Sequence, residues 1–307
     1  MGLVLALATA CISGVSLFLN ANYVASYANP TVYTTAKNIV AAIAICVIVA
    51  TGSRAGVRLT RPRTSGQWLG LATVAVVGGA IAFVLFFEGL AKATEDHPAA
   101  QAQFIHKTLV IWVAILAVVM LRERITWVHG AAIALLIVGQ VGLNGGMSPT
   151  WAALGHPGTL MVLAATLLWA VEVVLSKRLL AGLSPWTLSI ARMVGGSIVL
   201  FAWSGLQGTT GRIIPPTMTQ WMWVLVTGLL LSGYVVTWHH ALARAQAVDV
   251  TAVLVIAVFV TAALNGAFNN FSLVPHASSY SAIALGTGLL AWEMSRSRPA
   301  PVAGGAA

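Results

Sequence analysis

Four side chains stand out because an apolar setting should not hold them. Glu88 lies near the end of the apolar run that contains Phe83. Gln103, His106 and Lys107 lie inside the next run, which continues through Trp112 to the turn Leu121-Arg-Glu-Arg-Ile-Thr126. A charge at membrane depth costs roughly 3 kcal/mol on insertion scales. Opposite charges on neighbouring helices reduce that cost by pairing. Glu88 and Lys107 therefore admit two readings: a lock between two helices, or part of a solute pathway, the usual place for intramembrane ionisable groups. Gln103 and Lys107 are four residues apart and His106 is three from Gln103, so the three share one broad helix face. That face is expected to point into a bundle, since lipid cannot satisfy these groups.

The elements that must position them follow from composition. Of 307 residues, 59% are hydrophobic and 7% are charged, with a mean hydropathy of +0.90. Average chains carry about 25% charged residues, and here the apolar residues come in runs of about 20, enough to cross the hydrocarbon core. The expectation is an all-α integral membrane protein; the short alternating segments of a β-barrel are absent. Cys11 and Cys46 both fall in apolar runs, where they are expected to pack as small hydrophobes. The first run starts almost at Met1 with no basic stretch before it, which argues against a cleaved signal peptide.

Ten apolar segments can be placed, near 2–19, 32–51, 67–90, 98–120, 126–143, 157–177, 186–206, 219–242, 249–270 and 276–294. The tail 296–307 is rich in Pro, Ala and Gly and reads as disordered. No phosphate-binding G-x-x-x-x-G-K-[ST] loop occurs. If the loops alternate sides, one set holds Arg54, Arg58, Arg61, Arg63, Arg122, Arg124, Lys177, Arg178, Arg244, Arg296 and Arg298. The other holds only Lys92 and Arg212. Eleven against two places both termini in the cytoplasm. It also explains the formal charge of +9 as a topology signal, with no call for a nucleic-acid partner. Lys37, Lys107 and Arg192 are the three remaining bases, and all lie inside apolar segments.

The halves repeat. Asn29-Pro30-Thr-Val-Tyr-Thr-Thr-Ala-Lys37 matches Ser184-Pro185-Trp-Thr-Leu-Ser-Ile-Ala-Arg192, a turn proline seven residues before an embedded base. Glu88-Gly-Leu-Ala-Lys92-Ala matches His240-Ala-Leu-Ala-Arg244-Ala. Five spans per half is an odd number, so the second half must be inverted relative to the first. Inverted repeats are the architecture of many secondary transporters, with the site near the midplane at their interface. The expected units are 1–146 and 147–295, each a five-helix repeat, followed by the tail.

With the pairs Pro30/Lys37 and Pro185/Arg192, and with the stretch Leu121-Arg-Glu123-Arg-Ile-Thr-Trp-Val-His-Gly130 running on to Gly139, the chain resembles the EamA family of the drug/metabolite transporter superfamily. It departs from that pattern at His106-Lys107, where many members have a proline, and at Asn269-Asn270-Phe271-Ser272, where the second repeat lacks the Glu-Arg turn. The resemblance implies ten transmembrane helices as two inverted five-helix repeats. It also implies export of a small metabolite or drug-like solute across the cytoplasmic membrane by alternating access. Proton coupling is a further expectation, with no cofactor. A facilitative, channel-like permease is the alternative. An enzyme is disfavoured, because neither H-E-x-x-H nor G-x-S-x-G occurs.

Topology then assigns depth. Lys37, Glu88, His106 and Lys107 fall in the outer half; Glu172, Arg192, His239, His240 and Asp249 fall in the inner half or at its edge. Mirrored clusters suit two gates that open in turn, and equally two packing locks. Trp112, Trp169, Tyr234 and Trp238 are candidate walls of a solute cavity, and equally ordinary core. His106, His239 and His240 are candidate proton relays or satisfied bundle histidines. No two histidines have the spacing of a metal site. Glu172 is expected to pair either with Lys177 and Arg178 or with Arg192. Glu123 is expected to serve the turn or a helix cap. The expected partners are a small-molecule substrate, protons and membrane lipid; oligomeric state is open.

Overall fold

A computed structural model describes residues 1–23, 29–52, 57–96, 105–143, 155–269 and 274–296. The described residues are almost wholly helical. Helix α1 is Gly2–Tyr23 and α2 is Pro30–Thr51. Helix α3 runs through Ser65–Thr73, a π-helical stretch Val74–Ile81 and Ala82–Asp96. Helices α4 and α5 are Ile105–Leu121 and Trp127–Leu143. Helix α6 is Pro157–Leu179. Helix α7 runs through Pro185–Ile190, a π-helical turn Ala191–Gly195 and Gly196–Leu206. Helices α8, α9 and α10 are Met218–Leu242, Ala247–Asn269 and Ala277–Arg296.

Among these, α1, α2, α3, α6, α7, α8 and α9 are long and apolar enough to cross a bilayer, while α4 and α5 are shorter apolar helices. Helix α10 has the length, 20 residues, but serines 278, 279 and 281, Thr287 and Glu293 lower its hydropathy. The outward faces are apolar: Ile43, Val47, Val119, Val138, Ile198, Phe201 and Leu229 are all exposed. A surface of that kind over so many long apolar helices is a lipid-facing surface. Cys11 and Cys46 lie on it as well, so these two expected small hydrophobes face outward and not into the packed core.

Helix starts follow local chemistry. Asn29 and Ser184 cap α2 and α7, their side chains accepting from the amides of Val32 and Thr187, and Pro30 and Pro185 occupy the first turn. There the missing proline N–H would have lacked a partner in any case. The two turn prolines matched in the sequence thus begin two equivalent helices.

The packing follows a twofold rule. Numbering the helices one to ten, most of the extensive contacts between two of them recur between the helices five positions away. Helix α3 packs on α6 and α8 on α1; α2 packs on α8 and α7 on α3; α1 packs on α9 and α6 on α4. The pairs α5·α10, α2·α7 and α4·α9 map onto themselves. The closest approaches use glycine. A Cβ on Gly79 of α3 would strike the carbonyl oxygen of Arg192, and a Cβ on Gly228 of α8 would lie 3.0 Å from the carbonyl oxygen of Lys37. Arg192 and Lys37 therefore each have their backbone covered by a glycine from the related helix of the other half, the small-residue contact that lets membrane helices touch.

Candidate functional site

Two polar groupings flank an aromatic middle. The first is centred on Glu172 of α6, which is 2% exposed. Ser176 Oγ, one turn along, donates to Glu172 Oε1 at 2.8 Å. Arg192 Nη2 of α7 stands 3.7 Å from Oε2, and His239 Nε2 of α8 is 3.9 Å from Oε1. His239 Nδ1 is hydrogen-bonded to Ser189 Oγ of α7 at 2.9 Å. Gly78 makes room, because a Cβ there would occupy the position of the Glu172 side chain. Of the two kinds of partner expected for Glu172, the structure selects Arg192. Lys177 instead donates to the Leu242 and Ala245 carbonyls at 2.7 Å each, closing the end of α8. The buried carboxylate thus ties α6 to α7, with α8 joined to α7 through Ser189 and His239 beside it, and such a pair is costly to break on one side only.

The middle is aromatic. Trp169 of α6 donates from Nε1 to the Gly78 carbonyl at 3.2 Å. It packs edge-on against Phe83 and His106, and tilted against Phe86. Tyr234 and Trp238 of α8 stack with centroids 6.0 Å apart. Positions 83, 86 and 87 share one face of α3 at spacings of three and four, which is why these rings form one cluster. Trp112 ties back to its own helix, donating from Nε1 to Thr108 Oγ1 at 3.1 Å.

Lys37 belongs to this middle and to the second grouping. It is 5% exposed, and its Nζ lies 5.0 Å from the Tyr33 ring centroid and 4.9 Å from that of Phe87. No carboxylate among the described residues pairs with it. Tyr33 is anchored at its other end, donating to Asn20 Oδ1 or Thr227 Oγ1 at 2.8 and 2.6 Å. Glu88 sits on another face of α3, with Ile81, Val84 and Leu85, and lines a cavity of about 500 Å³ shared with Thr31, Met161, Leu200, Trp203 and Gln207.

Glu88 accepts from Thr31 Oγ1 at 2.6 Å and forms no ion pair with Lys107 among the described residues. The structure therefore does not join the two charges that the hairpin suggested. The reason is helical phase: Glu88 turns toward α2 and α7, while α4 meets the opposite, aromatic face of α3 through His106 and Phe86. Gln103 lies outside the described residues. His240 is half-buried, with Nδ1 2.8 Å from the Val236 carbonyl and its ring against Trp186. One position further round the helix than His239, it stands apart from Glu172.

A third network lies at the arginine-rich ends of the helices. Glu123, in the α4–α5 turn after the left-handed Arg122, accepts from the Ala247 amide at 2.8 Å and the Val248 amide at 3.3 Å. It caps α9 across the sequence, matching the expected cap role. Burial raises its carboxyl above the usual range, opposed by those two amides and by Lys177. His129 Nε2 meets Asp249 Oδ1 at 3.1 Å, its Nδ1 contacts Thr126 at 2.9 Å, and Thr126 donates to Glu293 at 3.2 Å. No spacing in the sequence marked His129 or Ser189 for these contacts. Ser176 had a usable signal, four residues after Glu172 on one helix face. Among the described residues no three His, Cys, Asp or Glu side chains converge as metal ligands.

The model of the EamA-like transporter family matches residues 1–145 and 156–291 of this chain. No curated protein matches it. One protein crystal structure superposes with a TM-score of 0.76, covering 94% of this chain and 98% of the other at 18% identity. That likeness concerns the fold.

Proposed function

Because the chain belongs to the EamA-like transporter family, a family of membrane transporters in the drug/metabolite superfamily, we propose that it is a secondary active transporter. In this reading it exports a small metabolite or drug-like solute across the cytoplasmic membrane by alternating access. Both termini lie in the cytoplasm, and ten spans form two inverted five-helix units, 1–146 and 147–295. The observation that carries the reading is the twofold contact rule, combined with one polar grouping on either side of an aromatic middle. Related helices carrying related bases can exchange roles when one half rocks against the other. The grouping around Glu172 is tied together, while the one around Glu88 borders a cavity, so the two sides differ as a closed and an open gate would.

Proton coupling has a candidate in His239. Its Nε2 has no hydrogen-bond partner yet faces Glu172 at 3.9 Å, so a proton there would strengthen the closed cluster. The test is counterflow in vesicles containing purified protein. Amino acids, nucleosides and cationic drugs would first be screened by thermal shift, and a stabilising solute would then be loaded on the trans side. Acceleration of labelled uptake by trans solute is expected. Uptake that never accelerates and rises linearly with concentration would indicate a channel-like permease instead.

A further inference from the structure

Among the described residues, the buried ammonium of Lys37 is met by the aromatic faces of Tyr33 and Phe87 and by no carboxylate, and its surroundings say what would complete it. Thr34, Lys37 and Asn38 share one face of α2 at spacings of three and four. Thr34 is 1% exposed and Asn38 fully buried. Thr34 Oγ1 and Asn38 Oδ1 have no hydrogen-bond partner, although Asn38 Nδ2 donates to the Thr34 carbonyl at 2.7 Å. Buried polar atoms without partners are rare in native structures. Here two occur on the same helix face as a buried cation that has no counter-ion among the described residues.

Their chemistry is complementary to a specific kind of solute. Lys37 offers up to three donors and a positive charge, Thr34 offers one further donor, and Asn38 Oδ1 offers an acceptor one position along. The rings of Tyr33 and Phe87 hold the ammonium by their negative faces, an attraction weaker than that of a carboxylate and one that leaves the charge uncancelled. Arg192, in the related position of the other half, has its carboxylate in Glu172. Glu88 does not supply one to Lys37, being bonded to Thr31.

Resting on the transporter reading above, we infer that Lys37 and Thr34 form the binding site for the carboxylate of a small organic-acid solute, with Asn38 accepting a hydrogen bond from a hydroxyl or amine beside that carboxylate. The solute brings the counter-charge that the fold withholds from Lys37. Its loading neutralises this side as Glu172 neutralises the other.

The test uses full-length protein in detergent and in vesicles, with lactate and mandelate set against their neutral isosteres lactamide and mandelamide. Thermal unfolding is expected to shift upward with the two acids and not with the two amides. Lys37→Met should weaken acid binding roughly tenfold or more, the scale of a lost charge-assisted hydrogen bond. Thr34→Val should weaken it several-fold, and Lys37→Arg should retain part of it. Should Lys37→Met fail to elute as a single species, the acid-amide comparison on the unaltered protein still decides, and Lys37→Gln replaces the variant. Equal stabilisation by acids and amides, stabilisation by neither, or an acid preference that survives Lys37→Met would overturn the inference. Labelled lactate separates the two claims. Acid-selective binding without counterflow leaves the site standing and removes the transport reading. Counterflow of the amides that ignores Lys37 removes the site and leaves transport.

Discussion

Arg192 and Lys37 occupy related places in the two halves and are treated in opposite ways. Each follows a helix-starting proline by seven residues, and each has its carbonyl covered by a glycine of the other half. Arg192 meets a carboxylate that is itself held by Ser176 and approached by His239. Lys37 meets two aromatic rings. The fold repeats the backbone and changes the side-chain partners, so a twofold scaffold acquires two unlike ends.

That comparison can be broken most directly through stability. Glu172→Ala leaves Arg192 buried without its partner, a loss of roughly 3–5 kcal/mol. It should lower the unfolding midpoint in detergent more than a substitution at Lys37, Gly79, Gly228, Thr31 or Glu123. The pair Glu172→Gln with Arg192→Met should recover most of that loss. Lys37→Met removes a buried charge that has aromatic faces but no counter-ion among the described residues, so the midpoint should hold or rise. If Lys37→Met and Arg192→Met prove equally damaging, the two ends are alike and the comparison fails.

The glycine contacts sharpen it next. Gly79→Ala drives a methyl group into the carbonyl of Arg192 and the backbone of Gly196, and overpacking of this kind costs about 1–3 kcal/mol. Gly228→Ala meets Val40 Cγ1 and Cβ at 2.6 and 2.7 Å and the Lys37 carbonyl at 3.0 Å; valine yields little, but the backbone contact is looser than at Gly79, so its midpoint should fall less. Melting curves for the two variants, side by side, check the order.

Smaller effects are expected at the edges. Thr31→Val removes the hydroxyl that donates to Glu88 and should cost about 1 kcal/mol. The variant's melting curve at neutral pH measures this. Glu123→Gln keeps the shape of the α9 cap, and its effect should depend on pH. Burial holds the Glu123 carboxyl above the ordinary value in the fold, so between the two values the folded state binds more protons and stability falls as pH rises. Melting the unaltered protein and Glu123→Gln across the mildly acidic range should show the unaltered protein losing ground to the variant as pH increases. A difference that does not change with pH would mean that the two amide contacts offset the burial completely.

The sequence alone determined the helical membrane class, because runs of about 20 apolar residues leave the backbone no other way to satisfy its polar groups in lipid. It also determined where α2 and α7 begin, since Asn29-Pro30 and Ser184-Pro185 cap and start a helix using only neighbouring atoms. The relation between Lys37 and Arg192 was legible from that shared spacing.

Partner choice was not legible. Glu88 and Lys107 are close along the hairpin, and Glu172 is close to Lys177 and Arg178, yet neither proximity became an ion pair among the described residues. Which groups meet depends on the rotation of each helix about its axis. That rotation is set by contacts far apart in sequence: Gly78 against Glu172, Gly79 against Gly196, Glu123 on the amides of α9. Spacing along one helix fixes which residues share a face, and only the packed bundle decides what each face meets.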